Sequence, residues 1–359
     1  MKFRNFKMVD RVVFGRGCIG QLDEILAPVK HAAGSRAVFL VDAVFEHKDL
    51  ASRLPVEEGD QILFVDVSEH EPKTTQVDEL TEEIRAAGER LPAGVVGIGG
   101  GSVMDIAKAV SVMLTNPGSS ADYQGWDLVK YPSLWHAAVP TLAGTGAEVS
   151  RTAVLTGPVR KLGINSDYSV FNQAVLDPDM LSGVPRDQWF YTGMDCYIHC
   201  VESLEGTFLN AFSRAYGEKA LELCREVFLG DIYPAEADEK LMMASFCGGM
   251  SIAWSQVGVC HALSYGMSYV LGLRHGIGNS VVFDYLEEFY PKGVVEFKAM
   301  VDKHGIDLPR NLTRGLSEES MEKMIDVALS MAPLWENALG PGWKEKMTRD
   351  RVRELYSRM

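Results

Sequence analysis

The stretch GVVGIGGGSVMDIAKAV, Gly94–Val110, is where the fold can be read. It opens on a nearly continuous apolar run, the pattern of a strand covered on both faces. Gly99, Gly100 and Gly101 follow, and the residues from Asp105 to Leu114 then recur at helical spacing. Glycine lets the backbone approach a ligand closely and take φ > 0 without steric cost. The amides at the start of the following helix face an anion such as a pyrophosphate. The run departs from the GxGxxG fingerprint, because Ser102 stands where the third glycine is needed. On these residues alone, a purely structural turn reads the same way.

Working outward, AVFLVD (Ala37–Asp42) and ILFVDV (Ile62–Val67) read as two further buried strands, residues 75–90 as a helix and HAAVP as another strand. Alternation of this kind predicts a largely parallel, doubly wound α/β sheet of Rossmann type. A second loop, PTLAGTGAEVS (Pro140–Ser150), follows its own strand. There Thr141, Thr145 and the backbone around Gly144 and Gly146 offer hydrogen bonds to a phosphate or ribose. Ligands of open α/β sheets sit at the carboxyl ends of the strands. Asp42 ends its strand, where a carboxylate accepts from a ribose 2′-OH and repels a 2′-phosphate. A turn or N-cap aspartate is the competing reading.

Beyond Pro185 the texture turns helical, with long periodic segments at 188–206, 213–229 and 238–252. The proline- and glycine-containing DPDMLSGVPRD marks the break, giving an expected α/β domain over 1–183 and an all-α domain over 184–359. The net charge, 35 − 49 = −14, has the wrong sign for a nucleic-acid binder. The start, MKFRNFKMVD, lacks the apolar run of a signal peptide, and no stretch is apolar enough to span a bilayer. With six cysteines and no CxxC pair, the expectation is a cytoplasmic protein with reduced thiols.

In GMDCYIHCVES, Asp195 and His199 lie four apart and share a helix face. His261 and His275 follow, 275 − 261 = 14 residues apart. Three imidazoles and a carboxylate suit a divalent ion such as Zn²⁺ or Fe²⁺. Ordinary hydrogen-bonded histidines are the alternative. Cys200 and Cys260 are rival ligands, read here as packing thiols.

Together GGGSVMDIAKAV, PTLAGTGAEVS, LDPDML, the GMDCYIH helix and RHGIGNS resemble, over essentially the whole chain, the iron-type (group III) metal-dependent alcohol dehydrogenases. The resemblance implies a dehydroquinate synthase-like architecture, with a dinucleotide domain, a helical domain and a metal in the cleft between them. It implies Asp195, His199, His261 and His275 as metal ligands. Asp42, Gly99, Gly100, Gly101, Ser102, Thr141, Leu142, Thr145 and Lys161 match its NAD-contacting positions, Lys161 at the nicotinamide ribose. Two positions depart from the pattern. Tyr265 stands where many members carry a further histidine, which puts a relay through that histidine in doubt, and Leu142 stands where many carry threonine. Four residues after His261, Tyr265 shares that residue's face if the stretch is helical and is the candidate catalytic residue of the cleft. Within the family, the chain is most similar to enzymes that oxidise the C8 hydroxyl of 3-deoxy-manno-octulosonate on the way to a lipopolysaccharide amino sugar.

The activity implied is hydride transfer from a primary alcohol to NAD, with the ion lowering the pKa of the bound hydroxyl. Imidazole-rich sites favour zinc over iron in affinity. The expected substrate is a sugar acid, with Arg151 and Arg274 as candidates for its carboxylate. Small alcohols or diols are the alternative substrates, and a homodimer is left open. A dehydroquinate synthase-type lyase is disfavoured, because its metal site uses two histidines and a glutamate. A non-catalytic regulator is disfavoured because all four ligand positions are intact.

Overall fold

The structure is a computed structural model that describes residues 6–68, 71–159, 161–232 and 234–359. The first five residues of the N-terminal segment judged not to be a signal peptide lie outside that range. The chain forms two compact units, Met1–Leu142 with Ala147–Ser182, and Ala143–Gly146 with Gly183–Met359.

The first unit holds strands β1 (Arg11–Phe14), β2 (Ala37–Asp42), β3 (Gln61–Val65), β4 (Gly94–Gly99), β5 (Gly125–Trp126), β6 (Trp135–Pro140), β7 (Thr152–Thr156), β8 (Lys161–Asn165) and β9 (Gln173–Leu176). Its α-helices are α1 (Leu22–Ala33), α2 (Asp49–Arg53), α3 (Thr74–Ala86) and α4 (Gly101–Met113). Six strands make one sheet in the order β1-β9-β6-β4-β2-β3, with every pairing parallel.

Side chains of a strand alternate between faces, and β2 shows how both faces are covered. Val38 and Leu40 pack in one core with Val77 and Ile84 of α3 and Val103 and Ile106 of α4. Ala37, Phe39 and Val41 pack in a second core with Leu22 and Leu26 of α1 and with Leu50 and Leu54. Full burial of each such branched or aromatic side chain contributes about 1.5–3 kcal/mol. That is why β2 and β4 read as unbroken apolar runs. The expected doubly wound parallel sheet is present.

Two features of this sheet position a ligand site. From β2 the chain moves to β3 on one side, then returns to β4 on the other, so the winding reverses between β2 and β4. Crevices for ligands open at such reversals. Register then brings the strand ends level, with Val41 opposite Ile98 and Gly99 opposite Pro140. Asp42, the three glycines and Thr141 therefore share one edge of the sheet.

A separate three-stranded sheet, β5-β8-β7, carries Lys161 at the start of β8 and was not anticipated from the sequence. Lys108 ties α4 to it. Its ammonium is fully buried and donates to Ser150 Oγ at 3.0 Å and to the Thr152 carbonyl at 2.8 Å.

The second unit contains helices α5 (Arg186–Glu205), α6 (Ala211–Leu229), α7 (Pro234–Trp254), α8 (Val259–Leu271), α9 (His275–Phe283), α10 (Pro291–His304) and α11 (Glu318–Ser330), with short helices beyond. Every residue of α5 from Phe190 to Ser203 is buried, which makes it the central helix of the bundle. Asn210 starts α6 in a capping box, accepting from the amides of Phe212 and Ser213. The segment Ala143–Gly146 belongs to this unit. A Cβ on Gly144 (φ 152°) would lie 1.7 Å from the Thr192 carbonyl oxygen, and one on Gly146 (φ 65°) 2.3 Å from Gly249 Cα. These two glycines are thus required by close packing on α5 and α7, whatever ligand the loop meets. No described helix is long and apolar enough to cross a membrane.

Candidate metal centre

Three helices bring the four sequence-predicted ligands together. Asp195 and His199 come from adjacent turns of α5, His261 from the first turn of α8, and His275 opens α9. Their ligand atoms lie within 4.8 Å of one another. Asp195 Oδ1 stands 3.5 Å from His199 Nε2, 3.3 Å from His261 Nε2 and 3.6 Å from His275 Nε2. A tetrahedral ion with bonds of about 2.1 Å separates its ligands by about 3.4 Å. The spacing is that of a coordination shell, and direct hydrogen bonds would be shorter. Asp195 Oδ2 and His199 Nδ1 are buried without a hydrogen-bond partner.

The electrostatics also suit a cation. Burial would raise the Asp195 carboxyl, yet the imidazoles of His199, His275 and His261 hold it well below the usual carboxylate range. Burial pushes His199 down to about 4, so its ring is neutral and can ligate. At His261 burial also acts to lower the pKa, but the Glu202 and Asp195 carboxylates outweigh it and raise the ring to about 9. This corner of the site therefore favours positive charge. Asp195, His199 and His261 are buried, whereas the His275 side chain is 26% exposed and marks the accessible side.

Of the rival thiols, Cys260 falls with Glu202 and His261 in a second group whose ligand atoms lie within 4.8 Å of one another. Cys260 donates to the Asn279 carbonyl at 3.2 Å, and burial, with Glu202 and Asp195 nearby, pushes its thiol well above the ordinary value. Cys200 is buried inside α5. Burial disfavours the thiolate, the form a metal binds, at both. All six cysteines are free.

Two contributors escaped the sequence reading. Glu202 Oε2 lies 2.5 Å from His261 Nδ1. Asn279 Nδ2 lies 2.6 Å from Asp195 Oδ1, 3.0 Å from His261 Nε2 and 3.2 Å from His275 Nε2. Spacing held the signal for both. Glu202 is seven residues after Asp195 and three after His199, and Asn279 is four after His275, so each shares its helix face with a ligand.

Tyr265, one turn after His261, stacks on His275 at 5.9 Å between centroids and meets His261 edge-on at 6.4 Å. It borders the centre. Arg274 is exposed at the N-cap of α9, with Nη1 3.4 Å from Gln188 Oε1. Arg151 is already engaged with Asp127 and Asp167.

In the α/β unit, Gly100 caps α4 without a side-chain hydrogen bond, leaving its first amides for another partner. Gly97 and Gly99 also pack tightly on Ala107 and Val103, and Gly100 on Leu142. Asp42 Oδ1 accepts from the Val44 amide at 3.1 Å, the turn role that competed with the ribose reading. Thr141 is buried and donates its amide to the Gly99 carbonyl, joining the two loops. Ser102 and Leu142 are half-buried, and Lys161 is buried with Nζ 3.1 Å from Glu71. Thr145 is half-buried within Ala143–Gly146, in the helical unit.

Family models for iron-containing alcohol dehydrogenases match residues 10–178, and for the C-terminal part of the same family residues 189–304. The chain belongs to the iron-containing alcohol dehydrogenase family. It is an enzyme of the metal-containing alcohol dehydrogenase class and acts on a small molecule. It is 29% identical over 282 residues to a sulfoacetaldehyde reductase of Bilophila wadsworthia, covering 76% of this chain and 71% of that protein. An NAD-dependent methanol dehydrogenase of Bacillus methanolicus is 28% identical over 285 residues, covering 77% and 73%. The solved structure of an iron-containing alcohol dehydrogenase from Thermotoga maritima is similar at 26% identity and a TM-score of 0.77, over 98% of each chain. The α/β and helical units have the dehydroquinate synthase-like architecture expected of this family.

Proposed function

We propose that the chain oxidises a primary alcohol, or reduces the matching aldehyde, with NAD and one divalent metal ion held by Asp195, His199, His261 and His275. The observation that carries this reading is the shell of three Nε2 atoms at 3.3–3.6 Å around Asp195 Oδ1. When bound, the ion supplies a Lewis acid for the substrate oxygen and NAD supplies the hydride acceptor. Zinc is favoured on affinity and iron is the alternative. The proposed reaction takes place in the cytoplasm.

The chain's own groups do the rest. Level strand ends put Asp42, Gly99, Gly100, Gly101, Ser102, Thr141 and Leu142 along one sheet edge, suited to a dinucleotide, with uncapped amides for its pyrophosphate. Thr145 and Lys161 complete the proposed set. Asp42 selects against a 2′-phosphate by like charge, so NAD is expected to be preferred over NADP. Asp42→Gly should narrow that preference by roughly tenfold or more, about 1.4 kcal/mol. Equal efficiency of wild type with both nucleotides would remove Asp42 from this role.

Tyr265 takes the place of the family's additional histidine, and its hydroxyl is the proposed proton carrier at the exposed side of the centre. Tyr265→Phe is expected to lower turnover by roughly 10²-fold and to change the pH profile. Unchanged turnover and profile would leave the tyrosine with a packing role.

For the substrate we propose a carboxylate-bearing sugar, specifically 3-deoxy-manno-octulosonate oxidised at C8. Resemblance motivates this, and Arg274 beside His275 supports it as an exposed guanidinium. Arg151 supports it less, being paired with two aspartates. The related reductase named for sulfoacetaldehyde also suggests an anionic substrate. The test is NADH formation with 3-deoxy-manno-octulosonate, ethanol, 1,2-propanediol and neutral sugars. Highest kcat/KM with the sugar acid is expected. Higher efficiency with a small diol would replace it by the small-alcohol reading.

A further inference from the structure

We infer that Glu202 is a positioning residue of the metal centre, fixing the tautomer of His261 and securing the start of α8. This rests on the metal reading above. Glu202 is 1% exposed and belongs to α5, the helix that carries Asp195 and His199. Its Oε2 lies 2.5 Å from His261 Nδ1. A carboxylate oxygen accepts, so Nδ1 is the donating nitrogen, and Nε2 is the ring atom that faces Asp195 and the other ring nitrogens and that an ion would take. The other oxygen, Oε1, accepts from the Cys260 amide at 2.6 Å and from Tyr290 Oη at 3.3 Å.

Those two bonds matter for α8. Its N-cap, Gly258, has no side chain to satisfy the first amides. Tyr290 Oη accepts from the Val259 amide at 3.2 Å, and Glu202 takes the next one. One carboxylate thus orients a ligand ring and fixes the helix turn on which that ring stands. Charge follows the same logic. A divalent ion with Asp195 alone leaves a net +1 in a buried site, and Glu202 brings the total to zero. Burying the uncompensated charge is costly. Glutamine in its place can present its NH₂ to Nδ1, which would move the ring proton to Nε2 and block coordination.

The test is competition of stripped protein with a chromogenic chelator for Co²⁺, on wild type, Glu202→Gln and Glu202→Asp. Affinity should fall about 10- to 100-fold in Glu202→Gln, with Glu202→Asp in between. The Co²⁺ ligand-field band should shift in Glu202→Gln as well. A purely structural role would lower the thermal midpoint while leaving the affinity of the folded protein unchanged. Glu202→Gln binding within about twofold of wild type would overturn the inference alone. If that variant does not fold, Glu202→Asp decides by the same criterion. Wild-type protein that takes up no ion would overturn the metal reading and this inference together.

Discussion

Replacing His261 with alanine is expected to empty the metal centre and to stop turnover while the protein stays folded. His261 is held at both ring nitrogens, with Nδ1 on Glu202 and Nε2 3.3 Å from Asp195 Oδ1. Its loss leaves two imidazoles and a carboxylate, and it removes one of the hydrogen-bond partners of Glu202, which keeps the Cys260 amide and Tyr290 Oη. Lewis-acid activation of a substrate oxygen is worth several kcal/mol, so a fall of at least about 10³-fold in kcat/KM is expected. Bound metal should drop to roughly a tenth of wild type or less. Neither core of the α/β unit contains a ligand residue, so its fold should persist. His275→Ala should act in the same direction but more mildly on stability, because its side chain is partly exposed. Full metal occupancy in both variants, measured by elemental analysis, would remove these residues from the ligand set.

The second large effect is on folding. Gly144→Ala is expected to destabilise the helical unit by about 3 kcal/mol or more, since a buried clash with backbone has little room to relax. The added Cβ would lie 1.7 Å from the Thr192 carbonyl oxygen and 2.4 Å from its carbon, at a φ of 152° that suits glycine. Thr192 precedes Asp195 by three residues in α5, so any shift passes to the metal centre. Gly20→Ala is the control, because its Cβ meets nothing within 4 Å. Thermal unfolding should separate the two variants by several degrees. A Gly144→Ala midpoint equal to wild type would contradict the packing described for this loop.

The parts of the fold legible in the sequence were those with strong period or burial. Strand β2 matches Ala37–Asp42 residue for residue, because both of its faces are covered and its apolar run is unbroken. The helices expected at 188–206, 213–229 and 238–252 became Arg186–Glu205, Ala211–Leu229 and Pro234–Trp254. Strands β1, β5, β7, β8 and β9 left no comparable trace. They run two to five residues, and β1 is an edge strand with Val12 and Phe14 exposed, so little apolar pattern accumulates.

The candidate site divides in the same way. Histidine and aspartate at helical spacing drew attention to four ligands. Glu202 drew no attention, because sequence alone does not show that α5 is buried from Phe190 to Ser203. Asn279 drew none either, because two of its three contacts, to Asp195 and His261, are made across helices. The glycines of PTLAGTGAEVS read as ligand approach, whereas Gly144 and Gly146 are already needed for packing against α5 and α7. That requirement comes from tertiary contact and has no local signature.

The most direct test of the central claim combines metal analysis with turnover. Purified protein is stripped with a chelator, then assayed for NADH formation from NAD and alcohol substrates before and after adding back Zn²⁺ or Fe²⁺. The account predicts about one divalent ion per chain in active protein, loss of turnover on stripping, and its return with the ion. Undiminished NADH formation by fully stripped protein would contradict it.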